Sequence, residues 1–502
     1  MGEPIRSILV VGGGTAGWMA AAALKTATGP HCQVRLVESE DIGIVGVGEA
    51  TVPTIRDFNR MIGLDEVAFM RETKASLKLG IQFVGWGDES SSYFHPFGAY
   101  GAGRDLGDFH QVWLSLRARG MASDLDAYSL CTRAAFAGRV GALDPEPRSP
   151  EALIPAAFHF DAGLYAQHLR RFCEARGVER IEGRILEVAQ RADGFVDHVR
   201  LEGEKTLSAD LFIDCTGFRG LLVEGALKAG YEDWSHWLPM DRAVAAPCAK
   251  AGPITPYTRA TADAGGWRWR IPLQHRTGNG YVYSSRFIDQ EAATARLLET
   301  LDGELLAEPR HLRFGTGRRK AYWDRNVVAL GLSSGFIEPL ESTSIHLVNV
   351  GLNRLLQHFP DSGFSPGNIA AYNRRVGRDV EQVRDFVILH SHLTQRRDAD
   401  LWRYVADMPI PDALAERVEL FRERGILSPQ SADDYFSPTS WLAVMIGQGL
   451  HPRAHNPLYD LNNPATQAGR LKQVETDFAE AAARLPLHED YLRSGGMVAA
   501  DA

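Results

Sequence analysis

A chain of 502 residues, of which 45% are hydrophobic and 23% charged, has an ordinary globular composition, and this excludes disordered and fibrous classes. Its length suits two structural regions, or one large domain with an added layer. A formal charge of -9 offers no basic surface for nucleic acid, so the expected partner is a small molecule.

The five cysteines are scattered and odd in number, without a C-x-x-C pair. They predict neither a disulfide framework nor a metal site, and they favour a reducing cytoplasm. The apolar stretch from Ile8 to Leu24 is interrupted by three glycines, and no basic run precedes it. We therefore predict neither a signal peptide nor a membrane span.

The N-terminal sequence predicts a strand, a turn and a helix in that order. A β-branched apolar run from Ile5 to Val11 is followed by a glycine cluster and an alanine-rich stretch of high helix propensity. The next predicted strand, "CQVRLVE", ends at Glu38. These elements make a βαβ unit, which predicts an α/β fold with a Rossmann-like start.

The turn of this unit has the residues of a dinucleotide site. Gly12, Gly14 and Gly17 form G-x-G-x-x-G, with Thr15 and Ala16 between the last two glycines. Such glycines let the backbone approach a pyrophosphate that lies on the helix N-terminus. Glu38 follows Gly17 by 21 positions, close to the offset of a ribose-binding acid. A glycine-rich turn without a ligand is the minority interpretation.

FAD and NAD use the same turn, and two later segments favour FAD. "FIDCTGFRG", with Asp214 and Gly217, resembles the second nucleotide-contacting turn of flavoproteins. "NVVALGLSSGFIEP", with Leu332 and Ile337, resembles the third, near the flavin ring. The chain has only one G-x-G-x-x-G, whereas a flavoprotein with its own NAD(P)H-binding domain would normally have two. Electrons are expected to arrive from a separate protein.

The rest of the chain predicts two regions. "LYAQHLRRFCEARGV" has the apolar spacing of an amphipathic helix, and from about residue 350 onward the apolar positions again fall at helical spacing. We expect a nucleotide-binding region over 1–355, with inserted substrate-facing segments at about 80–150 and 235–300. A mainly helical region over 356–502 would follow.

Four segments together resemble the flavin-dependent tryptophan halogenase family. They are "GVGEATVP" at 46–53, "KASLKLGIQF" at 74–83, "GWRWRIP" at 266–272 and "EPLESTS" at 338–344. The resemblance covers nearly the whole chain and keeps the family's order. It implies the flavin monooxygenase (GR2-like) FAD box with a mainly helical substrate region. It also adds Gly48 and Ala50 to the residues expected at the cofactor.

The resemblance also implies the reaction and its partners. In this family FADH2 and O2 convert a bound halide, chloride or bromide, into hypohalous acid, which travels through the protein to the substrate. FADH2 comes from a separate NAD(P)H-dependent flavin reductase. We expect no nucleic-acid or membrane partner, and a homodimer is the oligomeric form to test.

Lys78 and Glu341 are the expected catalytic residues. Lys78 aligns with the lysine that hydrogen-bonds hypohalous acid or carries it as a haloamine, although an isolated lysine is more often a solvated surface charge. If "KASLKL" were helical, Lys74 would share a face with Lys78. Glu341 aligns with a carboxylate that stabilises the cationic ring intermediate and helps remove its proton, with Ser342 in support. Glu338 is read as structural.

The halide and substrate residues follow from the same alignment. Pro339 and Ser342 are favourable near a helix start, which leaves the amides of Thr343 and Ser344 for a halide. His95 and Phe97 match a substrate-lining pair, although a His-Pro-Phe tripeptide is more often a loop anchor. In the family, the segment with Trp267 and Trp269 lies between flavin and substrate. From composition alone, those tryptophans would be interpreted as core residues of a strand.

The C-terminal segment "DDYFSPTSWLAV" lacks the paired tyrosines and acid that grip free tryptophan in specific members. We therefore expect an indole derivative, or another electron-rich aromatic, as substrate. Two alternatives stay open: a single-component NAD(P)H-dependent aromatic hydroxylase, and a flavin-binding scaffold without turnover.

Overall fold

The structure is a computed structural model that describes residues 2–41, 48–101, 106–141, 154–427 and 434–498, without the side chains of 106–108. The chain forms two compact units. Unit one comprises 1–74, 160–239 and 314–381, and unit two comprises 75–159, 240–313 and 382–502. The functional division expected at residue 355 stays a prediction.

The strands among the described residues are numbered in chain order. They are β1 Ser7–Val11, β2 Gln33–Glu38, β3 Gly48–Ala50, β4 Ser76–Lys78, β5 Gly80–Val84, β6 Ser92–Pro96, β7 Ala157–Asp161, β8 Glu179–Glu182, β9 Ile185–Gln190, β10 Val196–Leu201, β11 Thr206–Ser208, β12 Leu211–Asp214, β13 Tyr231–Asp233, β14 Arg242–Ala245, β15 Thr258–Asp263, β16 Gly266–Pro272, β17 Thr277–Tyr283, β18 Arg310–Arg313, β19 Gly317–Arg319, β20 Trp323–Asp324, β21 Val327–Ala329 and β22 Gly335–Phe336.

The α-helices of the same residues are numbered likewise. They are α1 Thr15–Thr28, α2 Thr54–Ile62, α3 Glu66–Glu72, α4 Leu106–Ala118, α5 Leu130–Phe136, α6 Ala162–Glu174, α7 Gln290–Leu298, α8 Ser344–Gln357, α9 Pro366–His392, α10 Asp400–Asp407, α11 Asp412–Arg424, α12 Pro438–Gly447, α13 Pro464–Arg484 and α14 His488–Ser494. None of these helices is long and apolar enough to cross a membrane.

Unit one contains a six-stranded sheet in the order β20-β21-β12-β1-β2-β8. All its neighbours are parallel except the β20–β21 pair. Val11 at the end of β1 lies between Asp214 and Val37 on the flanking strands. Because parallel strands end at one edge, the turns after β1, β12 and β21 meet there. The predicted Rossmann-like α/β start is confirmed.

Helix α1 covers this sheet through an alanine-rich face. Its residues from Gly17 to Leu24 are buried, and it packs against β2, α6 and α8. Alanine side chains are small, so they let neighbouring elements approach α1 closely on several sides. Alanine also has the highest helix propensity, so this packing does not weaken the helix. The helix ends at Gly29, whose φ of 57° lies in the left-handed region that glycine adopts without strain.

Unit two contains a seven-stranded sheet in the order β18-β14-β17-β16-β15-β5-β6. Its pairs are antiparallel except β15 with β5. The short strand β4 pairs separately with residues 157–159 of β7. The predicted strand character of "GWRWRIP" is confirmed as β16, and the predicted helical character after residue 350 is confirmed by α8 to α14.

Candidate functional site

The predicted nucleotide turn connects β1 to α1, and its geometry requires glycine. Gly12 has a φ of 108°, and a Cβ there would lie 2.3 Å from the Cys215 carbonyl oxygen. A Cβ at Gly17 would lie 1.8 Å from the carbonyl oxygen of Gly12. Larger residues would therefore push β1 away from its neighbouring turn and from α1.

The outer face of the same turn is open. Gly14 is the N-cap of α1 and provides no side-chain cap. A Cβ at Gly14 would meet no atom within 4 Å, and Thr15 and Ala16 are partly exposed. The first N–H groups of a helix have no intrahelical acceptor, and the helix dipole favours an anion there. The turn fits a dinucleotide pyrophosphate.

Glu38 ends β2 beside this turn, as the ribose-acid prediction requires. Its carboxylate lies so close to Gly13 that a Cβ there would be 1.4 Å from Oε2. Arg180 donates from Nε to Glu38 Oε1 at 2.6 Å and also pairs with Glu40 and Glu182. The sequence motif did not indicate Arg180, which reaches Glu38 from the adjacent strand β8.

Asp214 in the second turn organises backbone rather than facing a ligand directly. Its Oδ1 accepts from the Thr216 amide and hydroxyl, and its Oδ2 accepts from the amides of Leu222 and Val223 at 2.9 Å. Its predicted contribution to cofactor binding would therefore act through the shape of the turn. Gly217 has a φ of 72° and open space at its Cβ position.

The third turn lies directly beside the first. Leu330 donates its amide to the Asp214 carbonyl at 2.9 Å, and a Cβ at Gly331 would lie 2.8 Å from Ala16 Cβ. Leu332 is partly exposed, whereas Ile337 is buried. Gly48 and Ala50 are buried on β3, while the preceding Gly46 and Val47 lie outside the described residues. The cofactor prediction thus corresponds to a cradle formed by three adjoining turns.

The segment from Glu338 to Ser344 makes a sharp entry into α8. Pro339 to Glu341 form a 3-10 turn, and Ser342 has a φ of 59°, in the left-handed region. Thr343 is the N-cap and α8 begins at Ser344, just after Ser342, near which the sequence predicted a helix start. The left-handed residue is the physical reason for this start, because a helix cannot start until the chain returns to right-handed torsion angles.

The start of α8 fits a small anion. Thr343 is buried, does not cap the helix, and its hydroxyl has no hydrogen-bond partner among the described residues. The first amides of α8, from Ser344 onward, have no intrahelical acceptor. A halide would satisfy both groups and would also be favoured by the helix dipole. Glu341, 1% exposed, is buried just before them.

His346 lies one turn into α8, and the sequence analysis missed it. Its Nδ1 is 3.0 Å from the Thr54 hydroxyl at the start of α2. Burial lowers the pKa of His346 to about 3, so its ring is neutral at physiological pH. Sequence spacing gives no signal for this contact, which depends on the packing of α2 against α8.

Lys78 is the last residue of β4 and is fully buried. Its Nζ lies 5.0 Å from the centroid of the Phe97 ring, a cation–π distance. Phe97 is held there because its amide donates to the Leu79 carbonyl at 3.0 Å. The helical face considered for Lys74 and Lys78 is wrong: residues 76–78 are a strand, and Lys74 has a φ of 53°.

The other predicted substrate residues of unit two belong to aromatic clusters. His95 on β6 is 3% exposed, and its ring lies 5.6 Å from Phe386. Trp267 and Trp269 on β16 are buried with ring centroids 6.2 Å apart. Gly280 on β17 leaves room for Trp269, because a Cβ there would lie 2.0 Å from the indole ring.

A pocket in the C-terminal part of unit two is lined by Leu414, Phe436 and Trp441, together with Arg417 and Asp434. Phe436 stacks on Phe386 with centroids 3.8 Å apart. The pocket is thus continuous with the aromatic cluster that holds His95.

The chain is similar to known proteins over nearly its whole length. A family model described as tryptophan halogenase matches residues 7–464. Tryptophan 6-halogenase SttH from Streptomyces toxytricini is 35% identical, with 97% of this chain and 98% of that protein covered. The structure of a flavin-dependent halogenase from Xanthomonas campestris is 47% identical with a TM-score of 0.94, covering 98% of each chain.

The structure of BrvH, a flavin-dependent halogenase from Brevundimonas sp. BAL3, is 43% identical with a TM-score of 0.93, covering 98% of this chain and 99% of that one. The fold agrees with these similarities. The chain therefore belongs to the tryptophan halogenase family and is a flavin-dependent halogenase.

Proposed function

We propose that this halogenase is a two-component enzyme that halogenates a small electron-rich aromatic, an indole derivative in particular. It would receive FADH2 from a separate NAD(P)H-dependent flavin reductase. The observation that carries the proposal is the fully buried lysine, Lys78, whose amine lies over the ring of Phe97. A buried amine held against an aromatic ring has no evident use in a simple flavin carrier.

Residues of unit one would hold the cofactor and the halide. The start of α1 would hold the pyrophosphate, and Glu38 the ribose. Thr343 and Ser344 would hold chloride or bromide at the start of α8. Bound FADH2 and O2 would supply the oxidising equivalent that turns the halide into hypohalous acid. The chain's task is then to keep that oxidant from reacting at random.

Lys78 would perform that task at its Nζ. A neutral amine can accept a hydrogen bond from hypohalous acid or form a haloamine with it. In the second case an N–halogen bond forms, the O–halogen bond breaks, and the amine proton leaves with the hydroxide as water. Complete burial keeps bulk water away from the amine, and the Phe97 ring, 5.0 Å from Nζ, provides a polarisable neighbour.

Glu341 and Ser342 would serve the aromatic substrate. Attack of an aromatic carbon on electrophilic halogen leaves a cationic ring, and a buried carboxylate stabilises such a charge strongly. The same carboxylate would then accept the ring proton and restore aromaticity. Ser342 follows it in a left-handed conformation, which sets the direction in which the chain presents both side chains.

The paired charges beside Phe436 disfavour a free amino acid as substrate. The pocket's two opposite charges already neutralise each other, since Arg417 lies 3.2 Å from Asp434 and Gln382 also donates to Asp434 at 2.8 Å. Arg417 also lies 4.0 Å over the Trp441 ring. A tryptophan ammonium and carboxylate would have to compete with these pairs, whereas a neutral indole makes no such demand.

The decisive experiment supplies the purified protein with FAD, a reductase, O2 and equal chloride and bromide. Mass spectrometry over a panel of indoles and free tryptophan reports the reaction class, halide and substrate together. Lys78→Ala should abolish halogenated product but leave flavin oxidation intact, and Glu341→Gln should slow product formation at least tenfold. Lys472→Ala, at a 73% exposed lysine, is the matched control. Full halogenation by Lys78→Ala would refute the assignment.

The same reagents distinguish the hydroxylase alternative. A single-component hydroxylase accepts electrons from NAD(P)H directly, so it would reduce FAD rapidly without added reductase. The halogenase proposal predicts that FAD is reduced only slowly without added reductase. It also predicts that none of the reactions yields a hydroxylated product. A scaffold without turnover would yield neither product when FADH2 is supplied.

A further inference from the structure

Strand β4, which ends at Lys78, is only three residues long. It pairs with β7 on one edge, with Ser76 opposite His159 and Lys78 opposite Ala157. Residues opposite each other in an antiparallel pair share a face, so Ser76, Lys78, Ala157 and His159 lie on the same side. Ala157 is small, so His159 is the large neighbour of Lys78 on that face.

The ring of His159 is held at both nitrogens. Ser76 Oγ donates to the Pro272 carbonyl at 2.6 Å, which uses the only hydroxyl proton of that serine. At 3.3 Å, Ser76 Oγ therefore accepts from Nδ1–H of His159. His159 Nε2 in turn accepts from the Thr258 hydroxyl at 2.9 Å. The hydrogen-bond network thus selects one neutral tautomer.

A second histidine holds the other edge of the strand. Leu77 turns its amide away from β7 and donates it to His488 Nε2 at 3.0 Å. His488 Nδ1 lies 3.0 Å from the Ile254 carbonyl, which only accepts, so Nδ1 bears the proton. This histidine comes from α14, near the end of the described chain. It therefore has the same neutral tautomer as His159.

The groups that face the two rings keep them neutral. Burial, followed by the charges of Lys78, His488 and Arg270, lowers the pKa of His159 well below its usual value, against a smaller opposing effect of the Pro272 carbonyl. Burial likewise lowers the pKa of His488 to about 4, against smaller opposing effects of the Ile254 carbonyl and then of Glu489, which is itself paired with Lys250 at 2.9 Å. Neutral rings can each donate one hydrogen bond and accept another, as the strand requires.

We propose that His159 and His488 are positioning residues for Lys78, which clamp strand β4 from its two edges and so hold the lysine amine in its buried place. His159 acts through the side chain of Ser76, two residues before Lys78, and His488 acts through the amide of the adjacent Leu77. The inference rests on the proposed function only in giving Lys78 its chemical role. The clamp itself is a property of unit two.

The clamp is tested on the protein without flavin or substrate, through the reaction of lysines with cyanate. A neutral amine attacks the carbon of isocyanic acid, forms a C–N bond and transfers its proton to the cyanate nitrogen. Peptide mass spectrometry gives the ratio of carbamylation at Lys78 to that at exposed Lys472. Both lysines meet the same concentration of isocyanic acid, so the ratio does not depend on how much of the reagent is in that form. Cyanate is small enough to report modest changes in access to a buried amine.

Matched substitutions separate hydrogen bonding from bulk. His159→Leu and His488→Leu remove both hydrogen bonds of each ring, and each should raise the Lys78 to Lys472 ratio at least threefold. His159→Gln and His488→Gln retain a neutral donor and acceptor and should stay within twofold of the parent. His110→Leu, at another buried histidine of unit two, should also stay within twofold.

The clamp is refuted if both folded leucine variants leave the ratio unchanged, or if the glutamine variants raise it equally. If circular dichroism shows that His159→Leu is unfolded, Ser76→Ala and Thr258→Val each remove one contact of His159, and at least a twofold rise is expected. An unchanged ratio in both would refute the role of His159.

A turnover measurement then links the clamp to chemistry. With FADH2 supplied, the leucine variants should form at least threefold less halogenated product per O2 consumed, at an unchanged KM for the aromatic. If Lys78→Ala retains full halogenation, the role of Lys78 fails while the cyanate result stands. If the cyanate ratios do not respond, the clamp fails and the role of Lys78 stands.

Discussion

Acidification should loosen strand β4 through His488. Burial lowers the pKa of His488 to about 4 in the folded protein, whereas an exposed histidine titrates near pH 6.5. An opened state that exposes the ring therefore binds a proton more readily than the closed state. The stabilisation from the neutral ring is complete above pH 6.5 and is lost as the pH falls from 6.5 towards 4.

The size of this effect follows from the two pKa values. At pH 5 the difference in proton binding weakens the closed state by about 2 kcal/mol, and below pH 4 by about 3 kcal/mol. A loss of about 2 kcal/mol corresponds to about a 30-fold fall in the protection of an amide that exchanges through that opening. The Leu77 amide is the appropriate probe, because it donates directly to His488.

The assay is hydrogen–deuterium exchange of the peptide that contains Leu77, at pH 7 and pH 5, corrected for the intrinsic exchange rate. His488→Gln is the reference, because glutamine can accept the same hydrogen bond but does not titrate. Protection in the parent should fall about 30-fold more than in the variant. His159 titrates in both proteins and cancels in the comparison. Equal pH dependence in parent and variant would refute the reasoning.

Three substitutions, one of them with a matched glycine control, test other parts of the structure. Gly14→Ala should leave the melting temperature of the flavin-free protein unchanged but weaken FAD binding at least tenfold in a fluorescence titration, because its Cβ would enter only the open cradle. Gly280→Ala should destabilise the protein by about 1–3 kcal/mol through its clash with Trp269, whereas Gly469→Ala, with open space in α13, should not lower the melting temperature. Ser344→Gly should change the ratio of brominated to chlorinated product in mixed halide, since it removes the side chain at the anion site; an unchanged ratio would place the halide elsewhere.

The local motifs of unit one were predictable because each is continuous in sequence. A β-branched run, a glycine turn and an alanine-rich stretch are read directly as β1, Gly12 and α1, since backbone torsion and helix propensity are local properties. The alternation in "GWRWRIP" likewise predicts a strand. The family resemblance identified Lys78 and Glu341 as candidates without any knowledge of their surroundings.

Other features depended on pairings that sequence spacing does not reveal. A solvated position was the alternative interpretation of Lys78, and its burial follows from the pairing of β4 with β7 and the contact with Phe97. Arg180 reaches Glu38 only because β8 lies next to β2. The start of α8 at Ser344 is set by one residue, Ser342, which has a left-handed conformation.

Short segments of the chain thus indicate the kind of chemistry that this protein performs, because glycine turns and β-alternation depend on only a few consecutive residues. The protonation states and positions of its reactive groups are tertiary properties. His488 lies 411 residues from Leu77 in sequence, yet it holds the amide of that residue. A hydrogen bond or a loss of solvent depends on distance in space, and only the folded chain brings such partners together.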